Sequence, residues 1–230
     1  MYQHLFAIVD RLPRSWRPPA SALGPVGVHA LDGLEVLACD CERLPPVTAR
    51  TLAQHHEVVA AAMDAEALLP FRFGTAMPAG ELAAWFAAHA ARIRATLAEL
   101  RGAVEMSVKL LRLHCGHGAE GSCPECAGHS PDVGELRQLA DRLVERAGLA
   151  RWRFRASANG DNVAGSIAFL VPRDEVEAFL ARIAPVASRA AGIAVVPTGP
   201  WPAYSFAGSF ERLPLARVGV PGPIREERLG

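Results

Sequence analysis

Residues 198–206 read Thr-Gly-Pro-Trp-Pro-Ala-Tyr-Ser-Phe, three aromatic side chains set among two prolines and a glycine, directly after the apolar run Ile193, Ala194, Val195, Val196. Pro200 and Pro202 fix their own φ and bias the residue before each toward extended geometry, so few conformations are open to this stretch. Trp201, Tyr204 and Phe206 add large apolar area at little rotamer cost. The segment is a rigid extended element that either packs or is bound; the same residues fit equally a core strand end whose prolines guard a sheet edge. Trp201→Ala is expected to destabilise the fold, because the two prolines around it hold the indole in one direction and a truncated core tryptophan costs about 3–5 kcal/mol.

The rest of the chain alternates strand and helix signals twice over. Residues 2–9 form an apolar strand, followed by a Pro-rich loop and by two apolar runs, 26–31 and 34–41, around Asp32-Gly33, a strong hairpin signal. Thr48 starts a helix after Pro45-Pro46, with Leu52, Val59 and Met63 on one face, and residues 68–73 return as a strand. In 81–100 Leu82, Trp85, Phe86, His89, Ile93, Leu97 and Leu100 recur at helical spacing, Gly102 stops the helix, and 104–113 is a strand. After a loop at 114–130 the theme repeats. A helix runs from Asp132 through Leu149, strands flank the turn 159–162, a helix follows Pro172-Arg173-Asp174 with Pro185 kinking or shortening it, and a last strand covers 193–196. Helices alternating with antiparallel-linked strands predict an α+β protein of two ferredoxin-like sandwiches. The expected domains are 1–113 and 131–210, joined by the Cys/His-rich linker 114–130. The tail 211–230, with Pro214, Pro221, Gly222 and Pro223, lacks apolar periodicity and is expected to be irregular.

Composition narrows the function classes. Half of the 230 residues are hydrophobic, enough for substantial cores without metal or disulfide staples. Lys+Arg and Asp+Glu are equal at 24 each, so no global charge draws the chain to nucleic acid or an anionic membrane, and little colloidal repulsion opposes association. No stretch approaches the roughly 20 apolar residues of a membrane span, and the start lacks a signal peptide, which predicts a cytoplasmic protein.

A second stretch similar to 198–206 lies upstream, Leu68-Leu69-Pro70-Phe71-Arg72-Phe73-Gly74-Thr75, preceded by His55-His56-Glu57-Val58-Val59. In this order the two resemble the signatures of the L/F family of gas vesicle proteins: a strand of the form LPxRFGT after a helix with a His before paired valines, and a closing TGPWPPYSF. Ala203 stands where the family usually shows a second proline. The resemblance runs from Tyr2 to about Phe210. It implies a two-domain, non-catalytic accessory protein that contacts the small hydrophobic shell protein and other gas vesicle proteins during nucleation or assembly. Arg72, Trp201, Tyr204 and Phe206 are then the candidate partner-binding residues, the three aromatics being anchors if exposed and core if buried.

The loop carries a competing signal. Cys123 and Cys126 have the C-x-x-C spacing that lets two thiolates face one tetrahedral ion, and Cys115 with His117 or His129 could complete a structural zinc site. The resemblance supplies no such metal, and the alternative is a metal-free insertion between the halves. The rival function is a metal- or thiol-dependent enzyme centred on this loop. Against it stands the lack of a phosphate loop, a nucleophile elbow or a carboxylate pair placed for acid–base work. His55-His56-Glu57 lacks the i, i+4 histidine pair of a zinc protease, so one of these histidines is expected to be a hydrogen-bonded core contact, and His89 a core or boundary histidine. Arg72, embedded in an apolar strand, is expected to pair with a carboxylate such as Glu105. Arg151, Arg153 and Arg155 read as the solvated face of a strand, and Cys39 and Cys41 as small core residues.

Overall fold

A computed structural model describes residues 1–113, 133–156, 163–188, 192–208 and 210. The chain runs β1 (Tyr2–Val9), β2 (Val26–Leu31), β3 (Leu34–Cys41), α1 (Ala49–Ala61), β4 (Leu68–Pro70), β5 (Ala76–Pro78), α2 (Leu82–Leu100), β6 (Ala103–Arg112), α3 (Val133–Ala147), β7 (Trp152–Ala156), β8 (Val163–Pro172), a short 3-10 turn, α4 (Val176–Ala187) and β9 (Ile193–Trp201). Two antiparallel sheets result. The first has the order β2-β3-β1-β4, with β5 also on β1; the second has the order β7-β8-β6-β9. The α+β class expected from the alternation is thus the observed one.

Local chemistry explains most elements. Asp32 and Gly33 adopt φ of 48° and 76°, the two positive values that a two-residue hairpin turn between β2 and β3 requires. Thr48 caps α1 by accepting from the Thr51 N–H, while the Thr51 hydroxyl accepts from the Thr48 N–H, a reciprocal box that satisfies two otherwise orphaned donors. α2 buries Leu82, Trp85, Phe86, Ile93, Leu97 and Leu100, the stripe its periodicity predicts.

Three expectations are corrected. Strand 103–112, read as the end of the first half, is a central strand of the second sheet, between β8 and β9. The inner face of α1 is His55, Val58 and Val59, whereas Leu52 is 43% exposed; the helix is turned so that His55 reaches a buried imidazole on β1. The strand expected at 68–73 stops at Pro70 as β4, and a second short strand, β5, follows at Ala76–Pro78.

Among the described residues, apolar packing forms three clusters. One joins α1 to a face of the first sheet through Phe6, Leu37, Val58 and Val59. Another joins the second sheet to α3 and α4 through Val108, Leu143, Phe169 and Phe179. Between them, Leu5, Ile8 and Val36 of the first sheet and Trp85 and Ile93 of α2 share a core with Ala168 and Leu170 of β8 and with Ala203, Phe206, Ala207 and Phe210. The segment after β9 therefore passes back from the second sheet into the core of the first half.

Candidate functional site

β4 pairs with residues 7–9 of β1 and β5 with residues 2–4, so residues 71–75 leave the ladder opposite Leu5 and Phe6 and then rejoin it. Phe71 N–H donates to the Phe6 carbonyl at 2.8 Å on one side, and Leu5 N–H to the Thr75 carbonyl at 2.9 Å on the other. Gly74, at φ 89°, makes the return, a conformation that glycine reaches at no steric cost. Arg72 lies on this excursion and is exposed, not embedded in a strand.

Beneath the excursion lies a chain of imidazoles. His55 Nε2 is 2.8 Å from the Phe71 carbonyl, and His55 Nδ1 is 2.9 Å from His4 Nε2. A carbonyl only accepts, so His55 carries its proton on Nε2 and accepts at Nδ1, and His4 donates from Nε2. The pair sits among Phe6 and Phe73, with Phe6 stacked on His55 at 5.2 Å. Both imidazoles are buried. Burial, reinforced by His55, pushes His4 down to about 3; burial, with His56 adding to it against the bond to Phe71, pushes His55 down to about 4. Two neutral rings thus tie β1, α1 and the excursion together, and the expected core histidine is His55.

The second half of the site is the 198–206 segment. Gly199 has φ 128°, and a Cβ there would lie 2.9 Å from both the Glu105 carbonyl and the Met106 sulfur, so only glycine fits. Trp201 follows, its indole N–H donating to Thr198 Oγ1 at 3.2 Å and its ring 5.4 Å from the His56 imidazole. The indole is 39% exposed, which places it on the surface rather than in the core. Tyr204 is half-buried, also beside His56, and burial, then the nearby Glu105 carboxylate, raises its phenol. Phe206 is buried, with the Arg151 and Arg153 guanidiniums each 5.7 Å from its ring centre. By the exposure criterion, Phe206 is core and Trp201 is the aromatic left available.

Glu105 takes a partner other than the one expected. Its carboxylate accepts from Ser205 twice, and it is buried. Burial raises this carboxyl, while the Ser205 bonds and then the Arg155 and Arg153 charges act in the opposite sense. The arginines of β7 therefore do more than solvate an edge. They cover Phe206 and bias a buried acid. His89 meets its expectation as a boundary residue, stacked on Trp85 at 4.8 Å with its Nδ1 2.7 Å from the Trp85 carbonyl. Cys39 is buried, its thiol donating to the Leu23 carbonyl; burial first, then Cys41 and Asp40, pushes it up to about 12. Cys41 is only half-buried.

Among the described residues no cluster of His, Cys, Asp and Glu could hold a metal ion, and no helix is long and apolar enough to cross a membrane. The expected zinc ligands Cys115, His117, Cys123 and Cys126 lie outside the described residues. Sequence reasoning missed the Glu105–Ser205 contact and the His4–His55 bond. Both join residues far apart in the chain, and neither carries a local spacing signal.

Comparison with known proteins shows the family and the fold. The family described as gas vesicle synthesis protein GvpL/GvpF matches residues 3–151 and 133–208. The structure is similar to the crystal structure of gas vesicle protein GvpF from Anabaena sp. PCC7120, with a TM-score of 0.72 and 18% identity over 90% of this chain and 96% of that one. It is also similar to gas vesicle protein GvpF from Microcystis aeruginosa, with a TM-score of 0.69 and 18% identity over 90% of this chain and 99% of that one. At that identity the two likenesses are of fold. No curated protein matches the chain at the level of sequence. The coverage of the family match settles membership: the chain belongs to the gas vesicle synthesis protein GvpL/GvpF family, and its role is in gas vesicle formation.

Proposed function

We propose that this protein is a non-catalytic accessory factor that binds the small hydrophobic shell protein, and other gas vesicle proteins, during nucleation or assembly. The observation that carries the reading is the placement of Trp201. Its neighbours Ala203 and Phe206 are buried, while the indole stands out at the seam, held by Thr198 and flanked by His56. A large rigid aromatic presented on an immobilised platform is the kind of anchor on which binding energy concentrates. Leu52, exposed and one helical turn from His56, adds apolar area on α1. Arg72 offers a charged contact from the excursion above the histidine pair.

The protein would act by covering apolar surface of its partner until that partner is incorporated, a task that needs no nucleophile or cofactor. Co-expression with the shell protein and affinity capture of this chain tests the reading, with Trp201→Ala as the variant that should release the partner. A zinc ion on Cys115, His117, Cys123 and Cys126 is a separate proposal. It rests on their spacing, and elemental analysis of protein purified without chelator tests it.

A further inference from the structure

Among the described residues, the sheet rims are guarded in every case but one. β4 and β5 are three residues each, are separated by the excursion at 71–75, and carry Pro70 and Pro78. β7 is five residues long and exposes Arg153 and Arg155. β9 bears the exposed prolines Pro197 and Pro200. Brevity, bulges, prolines and charges are the devices by which sheets refuse another strand. β2 has no proline, charge or bulge. Its six residues read Val-Gly-Val-His-Ala-Leu, its register with β3 is unbroken, and among the described residues it pairs with β3 alone.

The hairpin settles which backbone groups face outward. A two-residue turn makes Leu31 and Leu34 a hydrogen-bonded pair, and such pairs alternate along an antiparallel ladder. Val26, Val28 and Ala30 therefore direct their N–H and C=O groups away from β3. At this rim Val28 is 45% exposed and Ala30 is exposed too. The far end is fixed, because Arg94 of α2 holds Asp32 through both its carboxylate and its carbonyl.

We propose that the free rim of β2 is a docking site for an extended, uncharged segment of a partner protein, rich in β-branched residues, which adds to the first sheet as a further strand. The edge selects such a segment because Val26–Leu31 carries no Asp, Glu, Lys or Arg side chain, so a lysine or glutamate laid along it would lose hydration without a partner on the strand itself. A second copy of this chain is the poorer fit: six residues fall far short of the roughly 20–30 a side that stable interfaces use. A segment that brings only a strand needs no more than the edge. The inference goes beyond the accessory reading and does not depend on which vesicle protein is bound.

The test uses the full chain and a capped peptide of alternating threonine and valine, of the same length as β2. Saturable binding is expected, weakened at least about tenfold by Val28→Lys and unchanged by Val28→Thr. It should also be lost when alternate amides of the peptide are N-methylated, with the melting temperature of both variants unchanged. No binding to the wild-type chain, or equal binding by Val28→Lys, would overturn the proposal. So would a concentration-dependent dimer that Val28→Lys abolishes, since the edge would then belong to a second copy.

Discussion

Ser205 donates twice to Glu105, its backbone N–H to Oε2 at 2.7 Å and its hydroxyl to Oε1 at 2.8 Å, across a sequence separation of 100 residues. Glu105 sits on a central strand of the second sheet, and Ser205 on the segment that enters the core of the first half, so the contact locks the two together. Ser205→Ala removes one of the two bonds and is expected to cost about 1–2 kcal/mol in urea unfolding. In a Glu105→Ala background the same change should cost almost nothing, because the hydroxyl then has no carboxylate to meet.

The His4–His55 pair makes stability depend on pH in a definite direction. Both folded values, about 3 and about 4, lie below the ordinary 6.5, so the unfolded chain binds protons that the fold refuses. Stability fully present above pH 6.5 is lost as pH falls toward 4, by up to about 1.4 kcal/mol per pH unit for each imidazole. His4→Phe should roughly halve that slope. Urea unfolding at several pH values between 7 and about 4 measures it, and an unaltered slope would show that the pair is not the source.

Trp201 and Phe206 separate binding from folding. The exposed indole predicts that Trp201→Ala costs well under the roughly 3–5 kcal/mol of a core tryptophan, whereas Phe206→Ala, which empties a buried site beneath Arg151 and Arg153, costs about 3–4 kcal/mol. Thermal melts of the two variants side by side check the order. A larger loss for Trp201→Ala would return the indole to the core.

Gly199→Ala is expected to be among the most damaging changes of a small residue. The new Cβ meets the Glu105 carbonyl and the Met106 sulfur at 2.9 Å, on a backbone with φ 128°. Strain and overpacking together amount to about 2 kcal/mol or more, and a drop in melting temperature of several degrees is the readout.

What the chain disclosed in advance was local. Asp32-Gly33, the stripe of α2 and the capping Thr48 each carry their structure in a few adjacent residues, and each formed as those residues require. What stayed hidden depended on distant partners. The strand at 68–73 looked continuous because Phe71, Arg72 and Phe73 suit a strand; only the pairing of β1 on both sides reveals that 71–75 leave the ladder. Trp201 and Phe206 are equally apolar in sequence, and nothing but the path of the segment past His56 and into the core decides which one is covered. Glu105 is the carboxylate that sequence proposes for Arg72, yet Ser205 holds it.

The accessory reading is tested most directly by capturing this chain from cells that co-express it with the small hydrophobic shell protein. Wild-type protein is expected to retain the shell protein, and Trp201→Ala, still folded, to retain at least about tenfold less. Wild-type protein that captures no shell protein, with both proteins soluble and expressed, would contradict it.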